Sequence, residues 1–117
     1  MRWLAFGLLI ALTPGAASGH AFLDHAVPAV GATVAASPPT LQLVFSEPIE
    51  PRFSGVELAS AAGGPVATGT AALDPRNPAA LVLPLPTLMP GRYRVNWHVV
   101  SADTHRTEGS YEFSVGR

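Results

Sequence analysis

Residues 91–100 read GRYRVNWHVV, and apolar side chains occupy every second position from Tyr93 to Val99. This is the longest alternation of apolar and polar residues in the chain, and alternation places the two sets on opposite faces of a β-strand. The stretch therefore predicts a long strand with one face in a core. We expect Trp97, which belongs to the inward set, to be the central aromatic residue of that core.

Shorter apolar stretches lie on both sides of this strand, and prolines and glycines separate them. They occur at 21–27 (Ala21, Leu23 and Val27), 41–46 and 56–58, near Val66 and Ala71, and at 80–83 and 111–115. Short strands between such turn residues favour an all-β fold. We predict an immunoglobulin-like Greek-key β-sandwich of about seven strands. It lacks the antibody-type disulfide, because the chain has no cysteine.

Residues 1–19 have the composition of a cleavable signal peptide rather than of the domain. Arg2 precedes an apolar run at 3–12, and helix breakers and small residues follow as far as Gly19. The run is shorter than the roughly 20 residues that a membrane-spanning helix needs, although an uncleaved N-terminal anchor is the alternative. We expect an exported, periplasmic domain of residues 20–117.

The charge of this expected mature domain excludes several classes of partner. Of the seven basic residues only Arg2 precedes residue 20, and all eight acidic residues follow it, so the net charge is −2 with histidine neutral. A nucleic-acid-binding protein would need a basic face, and a polybasic membrane contact would need clustered lysine or arginine. Because there is no thiolate, nitrogen and oxygen must bind any metal.

Cleavage before His20 would change the chemistry of that residue. A free N-terminal histidine offers two nitrogen donors, its α-amine and its ring Nδ1, which can close a chelate on one metal ion. The amine has an ordinary pKa of about 7.7–8.0, so a metal can displace its proton near neutral pH. The candidate metal site therefore begins at His20.

A second candidate element is the segment 101–105, which reads SADTH. If it is extended, Asp103 and His105 point to the same side and Thr104 points away. With His20 they would supply three nitrogens and one oxygen, a set that favours Cu(II). Zinc is the competing ion, since imidazole and carboxylate suit it too.

Motifs along most of the mature chain carry a family resemblance. They are His20-Ala21-x-Leu23, then Pro28 and Gly31, then Leu43-x-Phe45-Ser46-Glu47-Pro48, then Gly91-x-Tyr93-x-Val95-x-Trp97-x-Val99-Val100-Ser101-x-Asp103-x-His105, and finally Gly109 with Phe113-Ser114-Val115. With these motifs the chain resembles the CopC family of periplasmic copper-resistance proteins, which includes the YobA-type proteins.

The resemblance implies a ligand set and a role. It implies Cu(II) bound by His20, Asp103 and His105, with Glu47 close enough to hydrogen-bond a ligand. The alternative for Glu47 is an exposed acid at a strand end. The resemblance also implies a protein that sequesters Cu(II) for copper resistance or delivers it to an inner-membrane CopD-type transporter. We expect it to be a monomer.

Met89, His98 and His25 lie outside the implied ligand set. Some family members carry a methionine-rich loop that binds Cu(I), but only Met89 remains after the signal peptide, so we predict a Cu(II)-only protein. His98 is expected on the surface, and an auxiliary ligand role is the alternative for His25. The common catalytic motifs are absent from the sequence, so we expect no enzyme. The alternatives are a copper-dependent oxidative enzyme with an N-terminal histidine brace and a metal-free structural sandwich.

Overall fold

Two β-sheets stacked face to face make up the part of the chain that the computed structural model describes, residues 21–116. The strands are β1 (Leu23–Val27), β2 (Thr33–Val34), β3 (Thr40–Phe45), β4 (Gly55–Ser60), β5 (Gly64–Val66), β6 (Ala72–Asp74), β7 (Asn77–Pro84), β8 (Gly91–Val100) and β9 (Arg106–Val115). One sheet has the order β1-β3-β7-β6, and the other has the order β2-β9-β8-β4-β5. A short 3-10 turn at Pro51–Phe53 lies between β3 and β4. Within the described range, no helix is long and apolar enough to cross a membrane.

This arrangement confirms the predicted β-sandwich. β8 begins and ends where the alternation predicts, at Gly91 and Val100, and it pairs with β9 along its whole length. Residues 21–116 hold nine strands, more than the sequence indicates. The shortest is β2, whose two residues pair in parallel with Ser114 and Val115. Two residues are too few to show an alternation, so the sequence carries no signal for β2.

The first strand departs from strict alternation. The register against β3 shifts between Leu23 and His25, and such a bulge changes the face on which the following side chains lie. As a result Ala26 is buried, whereas Val27 is 55% exposed. The sequence therefore places the strand correctly but assigns Val27 to the wrong face.

The core lies between the sheets and is built mainly from the alternating inward residues of β3, β7, β8 and β9. Its largest fully buried side chains are Phe113, Leu41, Leu43, Leu81, Leu83, Val95 and Val99. The prediction that Trp97 is the central core aromatic is wrong. Trp97 is only partly buried, because it packs edge-on against Phe45, with ring centroids 5.2 Å apart, while its other side borders an open groove next to Phe22.

Trp97 depends on the glycine that faces it across the sheet. Gly109 is paired with Trp97 on the neighbouring strand, and a Cβ at Gly109 would lie 2.7 Å from the indole Cζ2 atom. Since real Cβ atoms do not approach another atom so closely, any side chain at 109 would displace the indole ring.

We predict that Gly109→Ala lowers the free energy of unfolding by about 1–3 kcal/mol, because the added methyl forces Trp97 out of its packed position. Urea unfolding followed by tryptophan fluorescence measures this change. Gly63→Ala is the matched control, since the nearest atom to a Cβ there is 3.8 Å away. Equal stability of the two variants would contradict the prediction.

Tyr111 buries a hydroxyl group that has no hydrogen-bond partner. Its side chain is 7% exposed, and burial raises the pKa of the phenol well above its ordinary value. A buried polar group without a partner costs roughly 1–3 kcal/mol. Tyr93 is the contrasting case, since its hydroxyl donates to the Met89 carbonyl at 2.6 Å.

Removing each hydroxyl should therefore have opposite effects. Tyr111→Phe is expected to raise the free energy of unfolding, by up to about 1–3 kcal/mol, whereas Tyr93→Phe should lower it by about 0.5–1.5 kcal/mol. Thermal and urea unfolding of the two variants give both values. A destabilised Tyr111→Phe variant would show that its hydroxyl is satisfied in solution.

Candidate metal centre

The turn between β8 and β9 carries the two predicted ligands that the structure describes. The ladder ends at the pair Val100 and Arg106, and the turn is closed by hydrogen bonds from the Ser101 N–H to the His105 carbonyl and from the Thr104 N–H to the Ser101 carbonyl, each 2.8 Å. Thr104 has a φ of 75°, in the left-handed region. The segment is therefore a turn and not extended, because this short connection must reverse the chain direction.

The turn still brings the two side chains together. Asp103 Oδ1 lies 3.3 Å from His105 Nδ1, and the two side chains are 47% and 56% exposed. The Ser101 hydroxyl, which is buried, donates a hydrogen bond to the same carboxylate oxygen. This hydrogen bond, and secondarily the one from His105, holds the pKa of Asp103 below its ordinary value. Asp103 is therefore ionised and available as an oxygen donor at neutral pH.

The segment after β3 lies directly against this turn. The Ala102 N–H donates to the Pro48 carbonyl at 3.0 Å, and the Glu50 N–H donates to the Val100 carbonyl at 2.8 Å. Glu47, which immediately precedes Pro48, is half-buried at this end of the sandwich. Even so, no three His, Asp or Glu side chains among residues 21–116 come together as a metal-binding group. The structure thus supplies the Asp103–His105 pair, with Glu47 on an adjacent segment.

The start of the described chain reaches the same end of the sandwich. Ala21 is fully buried, and its carbonyl accepts a hydrogen bond of 2.6 Å from the Thr107 hydroxyl. Phe22 exchanges two hydrogen bonds with Ser46, one from its N–H to the serine Oγ (2.9 Å) and one to its carbonyl from the serine N–H (2.8 Å). The predicted ligand His20 lies outside the described residues, but its covalent neighbour is fixed here.

The other described histidines, His25 and His98, and Met89 lie outside the turn, on or next to strands β1 and β8. His25 is exposed, and its Nδ1 is 2.9 Å from Asp24 Oδ2. His98 is on the outward set of β8, as predicted, but it is partly buried because its ring covers Gly55 of the neighbouring strand. Met89 is 77% exposed and precedes β8, whereas the turn follows it.

The structure adds three residues to the site that are not predicted ligands, namely Ser101, Ser46 and Thr107. Ser101 and Ser46 both lie in the motifs that carry the resemblance, so their positions were visible although their contacts were not. Thr107 has no such signal, because a threonine on a strand is ordinary. Its contact is seen only in the folded structure, where its hydroxyl donates a hydrogen bond to the carbonyl of Ala21, 86 positions earlier in the sequence.

Comparison with known proteins places this geometry in a family. The model of the CopC domain matches residues 23–116, which is most of the chain. This chain belongs to the CopC family. It is 38% identical to Protein YobA of Escherichia coli strain K12 over 116 residues, which cover 98% of this chain and 94% of YobA. It is also 38% identical to Copper resistance protein C of Escherichia coli over 108 residues, which cover 85% of this chain and 83% of that protein.

Solved structures of CopC proteins share the fold. CopC from Methylosinus trichosporium OB3b superposes with a TM-score of 0.78 at 37% identity, covering 83% of this chain and 94% of that one. PcoC, described as a methionine-rich copper resistance protein from Escherichia coli, gives a TM-score of 0.74 at 38% identity, covering 82% of this chain and 98% of that one. The β-sandwich of this CopC-family chain is therefore the one seen in crystal structures of its relatives.

Ser101→Ala should raise the pKa of Asp103 towards its ordinary value in the metal-free protein, because the main hydrogen bond to the carboxylate is lost. The pKa of Asp103 is lower in the folded protein than in the unfolded chain. The ionised carboxylate therefore stabilises the fold at pH values above its unfolded pKa, and this stabilisation is lost as the pH falls through the folded pKa. A pH titration of the Asp103 carboxyl by NMR measures the shift. Ser110→Ala is the control, since that hydroxyl accepts a hydrogen bond from Arg94. An unchanged Asp103 pKa in Ser101→Ala would contradict this account.

Proposed function

We propose that this chain is a periplasmic carrier that holds Cu(II) as cargo, bound by the amine and ring of N-terminal His20 together with Asp103 and His105. The observation that carries the proposal is the meeting of two distant segments at one end of the sandwich. The Asp103–His105 pair lies on the turn after β8, and Ala21 is tied to Thr107 just beyond that turn. Removal of residues 1–19 as a signal peptide is part of the proposal.

The donor chemistry supports Cu(II) rather than Cu(I). The proposed set consists of amine, imidazole and carboxylate, which suit Cu(II), whereas Cu(I) favours thiolate and thioether sulfur. The chain has no cysteine. Met89 lies before the ten residues of β8 and Asp103 after them, and a strand of that length spans about 33 Å. Met89 is therefore out of reach of this site, in contrast to the methionine-rich description of PcoC.

Glu47 is proposed to steady one of the ligands by a hydrogen bond. Its segment is held to the turn by the contact between Pro48 and Ala102, and a partner behind a metal ligand fixes the orientation of that ligand.

The exposure of the site favours a carrier that gives up its metal over a static structural site. The Asp103 and His105 side chains are each about half exposed, so a partner can approach the cargo directly. We propose sequestration of Cu(II), or its delivery to an inner-membrane CopD-type transporter, as the use of this site. The protein acts as a monomer and not as an enzyme.

The decisive test compares Cu(II) binding by the chain that begins at His20 with binding by a chain that has one extra residue before it. The extra residue removes the free amine next to the histidine ring, and linkage of two donors raises affinity by about 10²–10⁴-fold. We expect a loss of that order in a competition titration, together with a changed copper spectrum. His105→Ala should also weaken binding, whereas His98→Ala, on the outer face, should not.

Two results would contradict the proposal. Unchanged affinity and spectrum in the extended chain would show that the amine is not a ligand. The affinity for Cu(I), measured under anaerobic, reducing conditions, is compared with the affinity for Cu(II). Equal affinities would contradict the proposed set of nitrogen and oxygen donors. Oxygen-dependent turnover of a polysaccharide with a reductant would instead favour the copper-dependent oxidative enzyme.

A further inference from the structure

We propose that Thr107 is a positioning residue for the N-terminal ligand: its hydroxyl fixes Ala21 and so places the amine and ring of His20 beside the Asp103–His105 pair. This inference rests on the proposed function, which it deepens by naming what presents the N-terminus to the metal. Thr107 itself is assigned no contact with the metal.

The contact that carries the inference is specific and non-local. The Thr107 hydroxyl donates to the Ala21 carbonyl at 2.6 Å across a sequence separation of 86 residues. Ala21 has no exposed surface, so its carbonyl depends on the protein for a partner. On the other side, Phe22 is held by its two hydrogen bonds with Ser46. The first two described residues are thus fixed between β9 and the end of β3.

Thr107 belongs to the same rigid unit as the proposed ligands. It is paired with Val99 on the β8–β9 ladder and follows His105 by two residues, a backbone distance of at most about 7 Å. Its branched Cβ restricts χ1, which limits the directions in which the hydroxyl can point. Because consecutive Cα atoms are about 3.8 Å apart, a fixed Ala21 confines residue 20 to the neighbourhood of this turn.

The hydroxyl of Thr107 can be removed without dismantling the fold. Thr107 is half-buried and is not among the buried hydrophobic residues that form the core. Its loss should release the N-terminal segment, which must then be ordered again when metal binds. Ordering the backbone of one residue corresponds to about a 5- to 30-fold loss of affinity.

The test uses the chain that begins at His20, with three substitutions. Thr107→Val removes the hydroxyl at nearly constant shape, and Thr107→Ser keeps a donor. Thr68→Val is the matched control, because the Thr68 hydroxyl also donates to a backbone carbonyl, that of Gly69 at 2.9 Å. Thr107→Val is also made in the chain with one extra residue before His20. Cu(II) affinity is measured by competition titration, and the mobility of the Ala21 and Phe22 amides by ¹⁵N relaxation of the metal-free protein.

We expect Thr107→Val to bind Cu(II) about 5- to 30-fold more weakly and to show increased mobility at Ala21 and Phe22. Thr107→Ser should restore most of the affinity, and Thr68→Val should leave it unchanged. In the extended chain, where the amine is no longer presented, Thr107→Val should change affinity by less than about twofold, since the two changes remove the same contribution.

Each other outcome overturns the inference in a distinguishable way. Full affinity with unchanged mobility in Thr107→Val shows that the hydroxyl does not position the N-terminus. An equal loss of affinity in the normal and extended chains shows a general structural effect. If the unsubstituted chain lacks His105-dependent Cu(II) binding, the proposed function fails first and the positioning role fails with it, whereas failure of Thr107 alone leaves the proposed function standing.

Discussion

The ten cross-strand pairs between β8 and β9 are the constraint on which the site depends. Their inward side chains include Val95, Val99 and Phe113, which are almost completely buried, so the hairpin cannot slide or twist without disturbing the core. Its turn is consequently held at a fixed place at one end of the sandwich. A pair of candidate ligands on a free loop would have to be ordered on binding, whereas the proposed ligands Asp103 and His105 already lie 3.3 Å apart.

Two further segments reach that turn, and both come from distant parts of the sequence. The segment after β3 is joined to it through Pro48 and Glu50, and the start of the described chain is joined to it through Thr107. These contacts need both sheets in place, since they join segments that flank β1 and β3 in one sheet to β8, β9 and their turn in the other. The site is therefore a product of the completed sandwich, although each proposed ligand lies in a short motif.

The fold was largely predictable because alternation in β8, β3 and β9 is strong, and alternation reports burial directly. Prediction failed where local chemistry and tertiary packing compete. The bulge in β1 moved Val27 to the surface, and Trp97 packs over Gly109 beside an open groove instead of at the centre of the core. Asp103 and His105 were correctly brought together, but through a turn instead of an extended segment. The contacts of Thr107 and Ser46 could not be predicted, because hydrogen bonds between distant segments leave no local pattern.

If residues 1–19 are removed as proposed, the burial of Ala21 bears on the order of folding and cutting. A peptidase acting at the proposed cut between Gly19 and His20 would need the residues after the cut to be accessible, since proteolysis favours exposed chain ends. In the folded domain Ala21 has no exposed surface, and its carbonyl is already bonded to Thr107. Processing would thus have to precede the docking of the first strand. Under the proposed processing, a domain that folded early would shield the residue that follows His20, so the relative rates of folding and of cutting would decide how much of the protein begins at His20.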